Sequence, residues 1–141
     1  MSKVSVLIAV YNTEKYLAEC LDSVCSQTLQ DIQIICIDDC STDSSPEILQ
    51  RYAAEDSCLH LFRMPATSGQ AVARNKGLQI ADGEYIMMLD SDDWLAPDAI
   101  ERAYESITSA DDIDCALFNL YYYYQENQQT ERYQIRANQT S

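Results

Sequence analysis

An acidic run, Asp90-Ser91-Asp92-Asp93, is the part of the sequence whose residue types could carry chemistry. Side chains alternate along an extended chain, so Asp90 and Asp92 should point the same way at an axial separation of roughly 6.6 Å, and Asp93 the other way. Like charges repel unless a positive group lies beside them. Carboxylate oxygens favour a hard cation such as Mg²⁺ or Mn²⁺. The run therefore predicts a divalent metal site, with a solvated acidic loop that caps the next helix as the open alternative.

Two further polar segments follow apolar runs in the same manner. Tyr11 and Asn12 come directly after the run Val4–Val10, and an Asp-Asp pair ending at Asp39 follows the run Ile32–Ile37. Parallel strands bring their carboxyl ends to one edge of a sheet, where such folds bind ligands. The sequence therefore predicts that these groups converge with the acidic run. An Asx turn or N-cap in the loop that follows is the open alternative for Asp39.

Alternating strands and helices must position these groups. Continuous apolar runs rich in β-branched residues predict buried strands at Val4–Val10, Ile32–Ile37, Leu59–Met64, Tyr85–Leu89 and Cys115–Tyr124. Helices are predicted between them, beginning after Asn12 or Thr13, at a capping box of Ser44 and Glu47, at Gly69 and near Pro97. This order predicts an α/β fold, a mostly parallel open sheet with helices on both faces.

The charge of the chain limits its partners. Its 141 residues include 23 Asp and Glu against 9 Lys and Arg, which gives a formal net charge of −14. Nucleic acid and anionic membrane surfaces are bound through cationic side chains, so neither is expected as a partner. No apolar run approaches the roughly 20 residues needed to span a bilayer. An anionic ligand therefore needs backbone N–H groups, a few placed cations or a metal ion.

The six cysteines and the single histidine predict no zinc site and no nucleophilic catalytic motif. The sequence contains no CxxC pair, and one histidine cannot complete a zinc site. It contains neither a P-loop motif nor a GxGxxG motif. We therefore expect reduced, mostly buried thiols and a cytoplasmic location.

Four segments, in this order and spacing, resemble the family-two inverting glycosyltransferases with the GT-A fold. They are VSVLIAVYNTEKYLAECLDSVCSQT from Val4, IICIDDCSTDSS from Ile34, SGQAVARNKGLQIADGEYI from Ser68 and LDSDDWLAPDAI from Leu89. The resemblance covers Val4 to Ile107. Thr67 departs from the pattern, which usually has Asn at this position.

The resemblance implies a donor site and a metal site at the strand ends. The nucleotide would be bound by Val10, Tyr11, Asn12, Asp39, Arg74, Asp90 and Ser91. Tyr11 would pack on the base, and Asp39 would accept a hydrogen bond from the base edge. Asp92 would ligate the metal, and Asp90, the second residue of the metal site, would lie near the ribose hydroxyls or a metal-bound water, with Asp93 as a further member of this group. A salt bridge from the third helix to Asp38 or Asp90 is the alternative for Arg74.

The implied activity is transfer of a sugar from a nucleotide-diphosphate donor, a UDP-sugar, to a hydroxyl of a saccharide or glycolipid acceptor in bacterial polysaccharide biosynthesis. The reaction would be one in-line displacement with inversion, in which Mg²⁺ or Mn²⁺ stabilises the departing nucleoside diphosphate. The family's general base is an Asp or Glu downstream of the acidic run. It is not recognised in this sequence, because Glu126 and Glu131 lie in no motif.

Two other functions remain open at this stage. A nucleotide-binding or interaction module without turnover is the main alternative, because the general base is missing. A nucleotidyltransferase would normally carry a Gly-rich, basic loop after the first strand, where this chain has Tyr11-Asn12-Thr13-Glu14.

The resemblance also implies a division of the chain. Residues 1–110 would form the nucleotide-sugar-binding GT-A half, and residues 111–141 the truncated start of an acceptor-side region. Ordinary strand packing is expected for the four tyrosines at 121–124, two facing a core and two facing away. The full-length protein would be cytoplasmic, peripheral at the inner membrane face.

Overall fold

A computed structural model describes residues 1–117 and 119–133. They fall into two units, Met1–Arg102 and Ala103–Ser141. The elements follow in the order β1 (Val4–Val10), α1 (Glu14–Cys25), β2 (Ile32–Asp38), α2 (Ser45–Glu55), β3 (Leu59–Arg63), α3 (Gln70–Ile80), β4 (Tyr85–Asp90), α4 (Ala99–Ile107), β5 (Leu120–Tyr124) and β6 (Gln129–Tyr133). The donor and acceptor roles expected for residues 1–110 and 111–141 stay predictions.

The first unit contains a four-stranded sheet of order β3-β2-β1-β4, in which every neighbouring pair is parallel. Val4 lies opposite Ile32 on one side and Tyr85 on the other, and Val10 lies opposite Asp38. The chain steps from β1 to β3 and then returns through α3 to β4, beside β1. This reversal leaves a crevice outside the carboxyl ends of β1 and β4. The predicted α/β fold with a mostly parallel sheet is confirmed.

Helices cover both faces of this sheet. On one face Ala73 of α3 packs with Leu7, Ile35 and Ile37. Ile8 alternates with Leu7 and so points to the opposite face, where it is also fully buried. Right-handed crossovers place α1 and α2 on that second face, because both connect strands that step in the direction opposite to the return through α3. The stripe predicted for α1 supplies its buried residues, Leu17, Cys20, Leu21 and Val24.

The predicted fifth strand, Cys115–Tyr124, is wrong in both extent and place. It begins only at Leu120, and it pairs antiparallel with β6 in a separate two-stranded sheet. Gln128, with a φ of 54°, lies between the two strands, where the chain reverses. Every residue of β5 is exposed, so the expectation that two of the tyrosines face a core is also wrong. Residue 118 of the predicted strand and residues 134–141 of the polar end lie outside the described residues.

The capping box predicted from Ser44 and Glu47 is not formed in the described part of the chain. Ser44 occupies the N-cap of α2 without a side-chain cap bond, and its N–H donates to the Glu14 carboxylate at 2.8 Å. The cap is provided by Asp43 instead, because its carboxylate accepts the N–H groups of Ser45 at 2.9 Å and Glu14 at 3.0 Å. Burial raises the pKa of Asp43, but these hydrogen bonds hold it below its ordinary value. One aspartate therefore caps both α1 and α2.

Across residues 1–117 and 119–133, none of the helices combines the length and the apolar character that crossing a membrane requires.

Candidate functional site at the carboxyl edge of the sheet

A cleft of about 390 Å³ opens at the carboxyl ends of β1, β2 and β4. Six residues predicted for the donor or metal site line it: Val10, Tyr11, Asp39, Asp90, Ser91 and Asp92. Three other predicted residues are not in its lining: Asn12, Arg74 and Asp93. Half of the lining was not predicted and comes from β1, the turn after it, and the start of α3 with its preceding loop: Ala9, Thr13, Thr67, Gly69, Gln70 and Ala73. The strand pattern could not predict α3 in the cleft, because that depends on how α3 crosses the sheet.

The acidic run forms a turn, not an extended continuation of β4. The Asp93 N–H donates to the Asp90 carbonyl oxygen at 3.0 Å, so the chain bends directly after the strand ends. One carboxylate oxygen from each of Asp90, Asp92 and Asp93 lies within 4.8 Å of the other two. The prediction that Asp93 points away from the other two carboxylates is therefore wrong, because strict alternation requires an extended backbone.

The carboxylates of Asp90, Asp92 and Asp93 repel one another. Burial, followed by the charges of Asp92 and Asp90, raises the pKa of Asp93. Cys20 of α1 lies beside the turn, with its Sγ 3.6 Å from the Asp90 carbonyl oxygen. Burial and then the negative charges of the three aspartates raise the pKa of this thiol to about 12. Three carboxylates without sulfur or nitrogen ligands are a donor set that fits Mg²⁺ or Mn²⁺.

Asp39 ties the end of β2 to the beginning of α3. Its Oδ1 accepts the N–H and the hydroxyl of Ser68, both at 2.9 Å, and its Oδ2 accepts the Gly69 N–H at 2.8 Å. Gly69 has a φ of 91°, a conformation that glycine adopts without strain. Burial raises the pKa of Asp39, but the three hydrogen bonds hold it below its ordinary value. Within the described part of the chain, Asp39 makes no turn or cap in the loop that follows it, because its hydrogen bonds go to Ser68 and Gly69 before α3; the neighbouring Asp38 accepts the Ser41 N–H in that loop at 3.0 Å.

Arg74 forms a salt bridge with Asp90 through its Nη2 and the Asp90 Oδ1. The Nε2 of Gln70 donates to the same oxygen at 3.2 Å. Positions four apart on a helix share a face, so one face of α3 brings both donors to Asp90. The sequence left Asp38 and Asp90 open as salt-bridge partners of Arg74, and in the structure the partner is Asp90. Asp38 is paired with Arg63, whose Nε lies 3.5 Å from its Oδ2.

Asn12 holds the loop after β2 against the turn after β1. Its φ is 50°, in the left-handed region that Asn tolerates. Its Oδ1 accepts the N–H groups of Thr42 at 2.8 Å and Asp43 at 3.3 Å, and its own N–H donates to the Ser41 Oγ at 3.0 Å. Thr13, the other predicted cap residue, occupies the N-cap of α1 without a side-chain cap bond in the described structure. The nucleotide contact predicted for Asn12 stays a prediction.

Gln27 anchors the segment that follows the acidic turn, and no pattern in the sequence marked it. Its side chain is buried, and its Nε2 donates to the carbonyl oxygens of Ala96 at 2.7 Å and Ser23 at 2.9 Å. Its Oε1 accepts the Ile100 N–H at 3.0 Å. The Ser23 Oγ accepts the Leu95 N–H at 3.0 Å. The residues at and just after the carboxyl end of α1 therefore fix the path of the chain after the acidic turn at Asp90–Asp93.

Gln27→Leu should lower the free energy of unfolding by roughly 2 kcal/mol, because it leaves the buried Ile100 N–H unpaired and removes the hydrogen bond to the Ala96 carbonyl oxygen. Urea unfolding followed by circular dichroism measures the change. The matched control is Gln50→Leu at an exposed position of α2, which should change stability by less than about 0.5 kcal/mol. Similar small losses for the two variants would mean that the Gln27 amide does not anchor this segment.

Relatives with assigned names match most of the chain. It is 40% identical over 120 residues to Glycosyltransferase GlyG of Streptococcus pneumoniae serotype 4, a match covering 85% of this chain and 40% of that protein. It is 43% identical over 105 residues to the Poly(ribitol-phosphate) beta-glucosyltransferase of Bacillus spizizenii, covering 72% of this chain and 17% of that protein. The chain thus spans less than half the length of these relatives.

Solved structures share its fold. S. aureus TarS residues 1–349, in complex with UDP-GlcNAc, superposes with a TM-score of 0.71 at 32% identity, over 76% of this chain and 31% of that one. The mannosyltransferase PcManGT of Pyrobaculum calidifontis, in complex with GDP-Man and Mn²⁺, superposes with a TM-score of 0.70 at 28% identity, over 76% of this chain and 32% of that one. The expected GT-A fold is confirmed.

The family model for Glycosyl transferase family 2 matches residues 5–140, nearly the whole sequence. The same segments that form the strand ends and the cleft lie inside this match. With the parallel sheet, the carboxylates at its edge and the named relatives in agreement, the chain belongs to glycosyl transferase family 2.

Proposed function

We propose that the cleft binds the nucleotide diphosphate of a UDP-sugar with Mg²⁺ or Mn²⁺, for transfer of the sugar to an acceptor hydroxyl with inversion. The observation that carries this proposal is the convergence of Asp90, Asp92 and Asp93 at a cleft that also contains Tyr11 and Asp39. The nucleotide-sugar donor is supported by the TarS structures with UDP-GlcNAc and with UDP. The cation is supported by the PcManGT structure with Mn²⁺.

The predicted site residues in and beside the cleft have separate roles in this proposal. Asp90, Asp92 and Asp93 hold the cation, which when bound supplies positive charge for the departing diphosphate. Tyr11 is 50% exposed, so its ring is available to pack on a nucleobase. Asp39 holds the start of α3 and, with an acceptor position left on Oδ2, accepts a hydrogen bond from the base edge. Further donor contacts are proposed for Val10, Asn12, Arg74 and Ser91.

The acceptor and the location are proposed from the family. A saccharide or glycolipid acceptor is proposed from the family alone; the related Poly(ribitol-phosphate) beta-glucosyltransferase is named for a polyol-phosphate polymer. A cytoplasmic location is supported by six cysteines that are all free thiols, and a peripheral position at the inner membrane face is proposed from the family alone. No general base is assigned, because Glu126 and Glu131 lie in the unit Ala103–Ser141 and in no recognised motif.

Calorimetric titration of the 141-residue chain with UDP tests the donor site. UDP should bind in the presence of Mn²⁺ and at least tenfold more weakly after chelation, because three carboxylates repel a diphosphate that lacks a counter-cation. Binding that is absent, or unaffected by Mn²⁺, would contradict the proposal.

Release of UDP from a panel of UDP-sugars then tests transfer, on this chain and on any longer form that the gene encodes. Release that depends on an added acceptor supports the transferase. UDP binding without release from either form would instead support the binding module, which family membership does not favour.

A further inference from the structure

The Oδ1 of Asp90 already has two hydrogen-bond donors. Arg74 and Gln70, one turn apart on α3, both reach this single oxygen. A carboxylate oxygen offers about two acceptor positions, so Oδ1 has none left for a metal ion while both donors are in place. A metal ion that bound Oδ1 would have to displace the side chain of Arg74 or Gln70 from this oxygen.

Within the described residues, the Arg74 guanidinium is the cationic partner of the acidic group. Arg74 pairs with Asp90, while Asp92 and Asp93 lie within 4.8 Å of Asp90 without an ion pair of their own in that part of the chain. The Arg74 side chain is 31% exposed and that of Asp90 48%, so water can replace the pair when it opens. Such half-exposed ion pairs contribute little to stability, which makes the pair easy to break.

We propose that Arg74, with Gln70 beside it, is an internal counter-cation that competes with the divalent metal for Asp90. The proposal rests on the metal site of the proposed function. Arg74 neutralises Asp90 when no metal is bound and lowers the affinity of the carboxylates for free metal. A metal ion that takes Oδ1 displaces the guanidinium from it, and one that binds through Oδ2 is still repelled by the guanidinium beside it. The empty site is thereby protected from binding divalent ions tightly.

A purely structural salt bridge leads to a different expectation. If Arg74 only pinned α3 to β4, its removal would loosen the Asp90 turn and leave metal affinity equal or weaker. If it competes, removing its charge must strengthen metal binding. A unit charge about 6 Å from a divalent ion in water changes its affinity on the order of tenfold. Tighter metal binding without the charge therefore shows that the guanidinium opposes the metal, and weaker binding shows that its structural role outweighs that repulsion.

The test is Mn²⁺ binding without nucleotide, measured from the loss of the free Mn²⁺ electron paramagnetic resonance signal. Arg74→Gln should bind Mn²⁺ about tenfold more tightly than wild type. Arg74→Lys keeps the charge and should stay within about twofold. Arg63→Gln is the matched control, because it removes a guanidinium paired with Asp38 and should also stay within about twofold.

Each outcome decides a different claim. Unchanged or weaker Mn²⁺ binding by Arg74→Gln, with wild type binding, overturns the competition and leaves the metal site standing. A failure of every variant and of wild type to bind Mn²⁺ overturns the metal site itself, and the competition with it. Should Arg74→Gln not fold, Gln70→Ala removes the second donor from Oδ1 and should strengthen binding by about twofold to threefold, and an unchanged affinity there counts against the proposal.

Discussion

Asp92→Asn should weaken Mn²⁺-dependent UDP binding on the order of 100-fold while leaving the fold intact. The substitution removes one of three carboxylates whose oxygens lie within 4.8 Å of one another, and with it one full negative charge and an anionic ligand. Asp92 lies in the exposed turn after β4 and lines the cleft. The effect should therefore appear in binding and not in stability. Calorimetric titration with UDP and Mn²⁺ measures it.

A charge-matched control separates a ligand effect from an effect of net charge. Asp31→Asn makes the same chemical change at an exposed position before β2, away from the cleft lining. It should leave UDP affinity within about twofold, since exposed charges beyond a Debye length are screened. Equal UDP affinity for wild type and Asp92→Asn would remove Asp92 from the metal site.

Asp39→Ala should lower the free energy of unfolding by roughly 3 kcal/mol. The buried carboxylate accepts three hydrogen bonds from Ser68 and Gly69, and the alanine leaves those donors unpaired at the start of α3. Urea unfolding at neutral pH measures the loss. Asp31→Ala, at an exposed position, should cost less than about 0.5 kcal/mol.

The stability that Asp39 contributes should depend on pH in one direction. Its pKa in the folded protein lies below the ordinary value of 3.8, so the folded state binds the proton less readily than the unfolded state. The contribution is therefore complete above pH 3.8 and is lost as the pH falls through the lower folded value. The stability difference between wild type and Asp39→Ala should shrink only in strong acid. A difference that shrinks between pH 7 and pH 5 would contradict the hydrogen-bonded carboxylate.

Local patterns were enough to predict the main sheet. Val4–Val10 is both the predicted and the observed β1, because a continuous β-branched run is stable when buried on both faces of a parallel sheet. β2 and β4 each extend one residue further than predicted, to Asp38 and Asp90. Their backbones stay paired with Val10 and Ala9 of β1 beyond the last apolar residue. Apolar patterning therefore predicts burial better than it predicts strand ends.

The second unit shows where such patterns stop being informative. β6 is polar through Gln129, Thr130, Glu131 and Arg132, and all of β5 is exposed. A hairpin without a buried face has no hydrophobic alternation to mark it. The residue with the positive φ is Gln128, which is neither Gly nor Asn, and the local turn signal is Asn127 before it, whose Oδ1 accepts the Gln129 N–H at 3.0 Å.

The sequence by itself determined which polar residues follow each strand, and so which edge of the sheet carries Tyr11, Asp39 and Asp90. Only the tertiary structure decided which residues these side chains contact. Asp39 contacts Gly69 across 30 residues of sequence, and Arg74 contacts Asp90 across 16. Such contacts depend on the path of α3 over the sheet and on the turn after β4. Those paths are set by packing and loop dihedral angles, which a pattern of residue types does not specify.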